Sequence, residues 1–208
     1  MAIQNQAPTL SFKNDMETGM ETLLGITVGI GLSAACGFRV FVPLLVMNLA
    51  TLTGHLHLAP GFEWIGSTYA TAAFGTATVV EVLAYYIPWL DHILDLIATP
   101  AALIAGTITT ASMVTEVSPF FKWTLAIIAG GGVAAIMQGV TVALRTKSSV
   151  LTAGTGNVLV SSAELAGSMV TALLATIAPI LCLVLIASLC IFVMWKAGRL
   201  FFRRMKIK

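Results

Sequence analysis

The sequence predicts an all-α bundle of about six membrane-spanning or re-entrant helices, forming one domain over residues 1–208, and three observations lead there. Of the residues, 58% are hydrophobic and 10% charged, against roughly 25% charged in a soluble domain. The apolar residues fall in blocks of about 20, the length of one helical crossing, and not in the alternating runs of a barrel. Mean hydropathy is +0.95, and six crossings leave too little chain for a soluble catalytic domain.

Residues 1–20 contain Lys13, Asp15 and Glu17 and lack the basic start and small-residue cleavage site of a secretory signal, which makes them a cytoplasmic segment ahead of a retained helix. The first half, 21–117, holds segments at Leu23–Met47, Tyr69–Ile87 and Ile93–Ala111. The second half, 118–196, holds Trp123–Leu144, Val158–Thr176 and Ile177–Trp195. Two joints are tight, Pro88–His92 and Ala178–Pro179, so either pair also reads as a re-entrant hairpin.

The tail, 197–208, follows Lys196 with Arg199, Arg203, Arg204, Lys206 and Lys208, as suits a cytoplasmic flank on anionic headgroups better than a nucleic-acid site. With that end inside, Lys13, Arg145 and Lys147 join the tail cations and Lys122 is left outside. An even number of crossings then places both termini in the cytoplasm, at the inner membrane of a bacterium.

Three segments per half force related halves into opposite orientations, the inverted repeat of many transporters. Gly29–Gly37 is answered by Gly130–Gly139, Glu81 by Glu164 and Pro100 by Pro179. Close helix packing also produces small-residue faces. Cys36, Cys182 and Cys190 are odd in number, lie in apolar blocks and lack CxxC spacing, so they read as buried small hydrophobes. His55 and His57 have no third ligand at suitable spacing. No metal or cofactor is expected.

Charges inside apolar blocks need a reason. Arg39 lies between Gly37 and Pro43. Its guanidinium keeps its proton, and facing lipid near the bilayer centre costs roughly 3 kcal/mol, so it should face protein, a water cavity or an anion. Gly37 and Pro43 favour a broken helix there. Glu81 and Glu164 are its candidate partners, as a structural ion pair or as a gate. Ser161, Glu164, Ser168 and Thr171 form one helical stripe that should face the bundle interior, and Glu81 shares a face with Tyr85.

Asp91 and Asp95, spaced i, i+4 at the mouth of the third segment, suit a cation or a proton relay; Asp91 also reads as a helix-start charge. The stretch Arg145–Asn157 reads as a loop in which Thr152, Gly154, Gly156 and Asn157 offer hydroxyls and glycine-freed N–H groups ahead of a helix. Those are the materials of an anion cradle, without P-loop order. A flexible turn capped by Thr155 or Asn157 is the equal alternative.

Through Gly31 to Pro43, Ile87 to Asp91, Leu94 to Pro100, Ser148-Ser149, Thr152, Gly154, Gly156-Asn157 and Glu164, the chain resembles the bacterial membrane family catalogued as domain of unknown function 4126. Val158 stands where that pattern commonly has proline, and Leu165 where it often has an acidic residue. The resemblance implies a compact helical membrane domain, brings no established activity, and favours Arg39, Asp91, Asp95, Asn157 and Glu164 as site residues.

The function expected is a small transporter, channel or lipid-translocating protein for an anionic or phosphate-bearing substrate. Arg39, Glu81, Asp91, Asp95, Thr152, Gly154, Gly156, Asn157 and Glu164 would line its path. The alternative is a non-transporting structural or partner-binding protein whose buried charges only specify packing. No nucleophile with a base, nor a metal constellation, supports an enzyme. Expected partners are the bilayer, an anionic small molecule or lipid headgroup, and a second copy of the chain, with no nucleic acid.

Overall fold

Three of the helices begin on proline, whose missing N–H would be an orphan at that position anyway: Pro88, Pro119 and Pro179. Ser118 adds a cap, its hydroxyl accepting from the Phe121 N–H at 3.4 Å. The computed structural model describes residues 7–84, 87–152 and 156–205, with 7–15, 17, 88–92, 95 and 200–205 as helix backbone alone. Among the described residues there is no strand. The elements are α1 (Ala7–Cys36), α2 (Phe41–Leu52), a 3-10 turn (Glu63–Gly66), α3 (Thr68–Ala84), α4 (Pro88–Met113), α5 (Pro119–Leu125), a π-helical segment (Ala126–Gly131), α6 (Gly132–Thr152), α7 (Asn157–Ile177) and α8 (Pro179–Met205). α5, the π segment and α6 run on as one rod of 34 residues.

The sequence expectation that fails first is Leu23–Met47 as a single crossing. α1 runs antiparallel to α4, with Gly29 against Thr110 and the Ser33 hydroxyl donating to Gly106 O at 2.5 Å. It stops at Cys36, and α2 turns back. The Phe41 N–H meets Glu81 of α3, while Met47 at the other end of α2 accepts from the Ser112 hydroxyl, near where α4 finishes. α1 and α2 are therefore a helical hairpin that dips into the bundle and returns to the side it came from. Hydropathy stays high through the reversal, so composition could not register it.

The hairpin reaches deep because a glycine stands at its turn. A methyl group on Gly37 would come to 2.6 Å of Ala134 O and 3.0 Å of Gln138 N, so the end of α1 lies directly on the backbone of α6. α1 is the central helix, packed by α4, α7, α8, α2 and α6. Gly130 plays a similar part at the π segment, where a methyl group would meet Gly106 O at 2.6 Å.

After the hairpin the chain passes through the bundle five times, on α3, α4, the α5–α6 rod, α7 and α8. The last reversal is at Ala178, which brings Cys182 Sγ to 3.7 Å from Thr171 O. Five passes leave the start of α1 and the end of α8 at opposite ends of the bundle. α3 and α7 run in opposite directions, and so do α4 and α8, as an inversion needs. The matched stretches Gly29–Gly37 and Gly130–Gly139, however, lie side by side and run the same way.

Large apolar side chains cover the outside: Leu96 is 79% exposed, Ile128 71% and Ile191 69%. Aromatic residues sit at both ends of this surface. Trp123 packs near Phe62 at 6.3 Å, and Trp195 carries the Arg199 guanidinium at 5.1 Å, as in the interfacial belts of membrane proteins. Trp123 to Arg145 spans about 33 Å of helix, one bilayer thickness. Five helical stretches, Thr18–Cys36, Leu96–Met113, Pro119–Thr152, Asn157–Ile177 and Pro179–Arg199, are long and apolar enough to cross a membrane, and the chain is a multi-pass membrane protein. Met137, which faces the hairpin turn, lies about 21 Å below Trp123 on the same rod, so the turn is well inside the membrane.

Asn48, which the sequence reading passed over, ties the returning helix down. Its amide donates to Ile65 O at 2.6 Å and Ser67 O at 3.1 Å, and its carbonyl accepts from the Thr71 hydroxyl at 2.8 Å. The side chain is fully buried. Asn48→Ala should cost about 1–2 kcal/mol, read as a lower midpoint of thermal unfolding in detergent; an unchanged midpoint would show the tie to be dispensable.

Candidate functional site

A helix that starts inside a membrane exposes amide N–H groups that lipid cannot satisfy. Nothing in the local sequence of α2 caps it. The cap comes from α3, where the Glu81 carboxylate accepts from the Val40 N–H at 2.8 Å and the Phe41 N–H at 3.1 Å. A negative charge at a helix N-terminus is favourable, and Glu81 is 7% exposed. Glu81 thus holds the hairpin tip through backbone hydrogen bonds.

On the other side of the tip, α1 closes with a tightened turn, Gly37 N–H to Ala34 O and Phe38 N–H to Ala35 O, both 3.1 Å. The Ser168 hydroxyl of α7 donates to the same Ala35 O at 3.0 Å. This orientation sends the Arg39 side chain onto α7. Its Nη2 donates to Ser161 O at 3.0 Å and to Ser161 Oγ at 2.5 Å, and stands 3.7 Å from Glu164 Oε2. Arg39 is 2% exposed.

Glu164 also receives Arg145 from α6. Arg145 Nε donates to Glu164 Oε1 at 2.8 Å, and Arg145 Nη2 to Glu164 Oε2, the two-point clasp that guanidinium and carboxylate favour. Two guanidinium groups therefore converge on one carboxylate. Glu81 adds a second carboxylate at the tip of the hairpin. Ser161, Glu164 and Ser168 are all buried, so their stripe does face the interior; Thr171 is only part-buried.

Arg145 corrects the sequence reading, which placed it among exposed cytoplasmic cations at the start of a loop. It is 5% exposed, and α6 continues as helix to Thr152. One signal was available: Gln138, Thr141 and Arg145 fall at i, i+3 and i+7 and are all buried. The buried hydroxyl group of Ser33, Thr109 and Thr110, with Ser33 Oγ at 2.9 and 2.7 Å from the other two hydroxyls, was also missed. Isolated Ser and Thr in apolar helices carry no distinctive pattern.

The family model described as Domain of unknown function (DUF4126) matches residues 26–199. The chain belongs to this family. Nothing among curated proteins and nothing among solved structures matches it. The match takes in the hairpin, all five passes and the charge cluster, so the site belongs to the family's domain and not to an appendage.

Thr152, Gly156 and Asn157 make their described hydrogen bonds among themselves and with Ser148 and Ser149. Thr152, Gly156 and Asn157 join α6 to α7, about 10 Å along the helix from Arg145. The Thr152 hydroxyl donates to Ser148 O at 2.7 Å and accepts from the Gly156 N–H at 2.8 Å. Asn157 Nδ2 donates to Ser149 Oγ at 2.9 Å. These groups fasten the two helices together, and among the described residues no side-chain cap is made at Gly156 ahead of α7. Gly154, Thr155 and Tyr85 lie outside the described residues. Asp91 and Asp95 fall in the first turns of α4, and their side chains lie outside the described set.

Proposed function

We propose that the protein is a small transporter or lipid-translocating protein for an anionic or phosphate-bearing substrate, and that the cluster of Arg39, Arg145 and Glu164 is its gate. The observation that carries this is the sharing of one buried carboxylate by two guanidinium groups at the tip of a hairpin that ends part-way through the membrane. A phosphate or carboxylate presents the same planar or forked acceptors as Glu164. An arriving anion would take over one arginine, release α7 from the tip, and open the hairpin to the other side. Glu81 keeps the tip formed while this happens. The reading assigns no bond-breaking chemistry to the chain.

The membrane proposed is the bacterial inner membrane. Lys147, Lys196, Arg199, Arg203 and Arg204 share one end of the bundle, and the positive-inside rule makes that end cytoplasmic. Lys13 and Lys122 then lie outside. With five passes, the N-terminal end of α1 is external.

The test uses purified protein in liposomes, with inorganic phosphate and a fluorescent phosphatidylglycerol as separate probes. Wild-type protein is expected to move one of them, and Arg39→Gln to slow that movement at least tenfold while eluting as a folded monodisperse species. Undiminished movement in a folded Arg39→Gln protein would overturn the gate. The burial of the Arg145–Glu164 clasp favours a second reading, in which the cluster only specifies packing. Movement of neither probe, with Arg39→Gln changing stability alone, would support that one.

A further inference from the structure

We infer that the cleft between α3 and α4 is a binding site for one acyl chain of a bilayer phospholipid. α3 and α4 are consecutive, yet they diverge over much of their length and leave a cavity of about 650 Å³ between them. Ala72, Ala73, Thr76 and Ala77 form the α3 wall, and Leu94, Ile97, Ala98 and Ala101 the α4 wall. The recess is there because the α3 side chains are small.

Three observations select the occupant. The cleft opens through the apolar outer surface, where Val80 is 59% and Ile97 58% exposed, so what faces its mouth in a membrane is hydrocarbon. From Ala72 to Glu81 it runs about 13 Å along α3. A single unbranched hydrocarbon chain fits a cleft of that length and volume. The inner end is closed by Val40, Phe41 and Glu81, and the Glu81 oxygens already accept the two backbone N–H groups of the hairpin tip. The chain end would thus rest on the tip of the hairpin. This inference stands apart from the proposed transport, since it needs only the shape and polarity of the cleft.

The experiment reconstitutes the full chain in nanodiscs containing a trace of phosphatidylcholine with a diazirine near the end of one acyl chain, and maps adducts by peptide mass spectrometry after illumination. Adducts are expected to concentrate on the peptides containing Ala72–Val80 and Leu94–Ala101, several-fold above those on the outer face of α8. Ala77→Trp, which fills the cleft from α3, and Ala101→Phe, which fills it from α4, should each cut that labelling at least fivefold. Val79→Trp, on the outer face of α3, should leave it unchanged. Labelling no denser than on α8, or labelling that survives both filling variants in folded protein, would overturn the site.

Discussion

Glu164→Gln is expected to destabilise the protein by about 3–5 kcal/mol, the cost of removing one partner from a buried ion pair. The amide keeps the size of the side chain and removes only its charge, so the carboxylate that Arg39 and Arg145 share is lost. Unfolding in detergent, followed by thiol-reactive dye, should show the midpoint fall well below that of an exposed control such as Glu63→Gln. Removing both charges of the clasp, with Glu164→Leu and Arg145→Met together, should restore at least half of the loss, because an apolar pair of similar volume can replace a buried salt bridge. A Glu164→Gln protein within 1 kcal/mol of wild type would refute the cluster as the lock of the hairpin.

The second large effect is expected from Gly37→Val. A side chain here has no space to take: its first carbon would press on Ala134 O and Gln138 N, and backbone cannot move aside as a flexible side chain can. Overpacking typically costs about 1–3 kcal/mol, and contact with the main chain of α6 places this case at or beyond the upper end. The hairpin tip would be pushed off α6, carrying Arg39 away from Ser161 and Glu164. Expected results are a midpoint reduced like that of Glu164→Gln and ready modification of Cys36, buried in the native protein, by a thiol reagent. Gly139→Val, where a side chain meets open space, is the control. Equal behaviour of the two variants would show the close approach at Gly37 to be unimportant.

Much of the site was legible, residue by residue. Arg39 in an apolar block had to be buried and partnered because of its charge alone, and the helical spacing of Ser161, Glu164 and Ser168 told which face of α7 it would find. Gly37 and Pro43 marked the broken helix. The partners were harder. Glu81 reads as an ion-pair candidate, but its oxygens serve two backbone N–H groups, and the need for that cap appears only once α2 is known to start inside the membrane. Arg145 reads as a loop cation because its neighbours Thr146, Lys147, Ser148 and Ser149 are polar, and polarity near a membrane boundary does not distinguish a helix end from a loop.

What the sequence determined by itself is the solvent: apolar blocks of crossing length exclude water, and in hydrocarbon every backbone hydrogen bond must be made within the chain, so the fold had to be helical. Lone charges in such blocks likewise had to meet inside the bundle. The tertiary structure decided which way the chain turned. A straight crossing and a hairpin bury the same residues from water and read alike in hydropathy. Only the packing of Gly37 on α6, the cap from Glu81 and the clasp of Arg145 on Glu164 separate them, and those are contacts between residues up to a hundred positions apart.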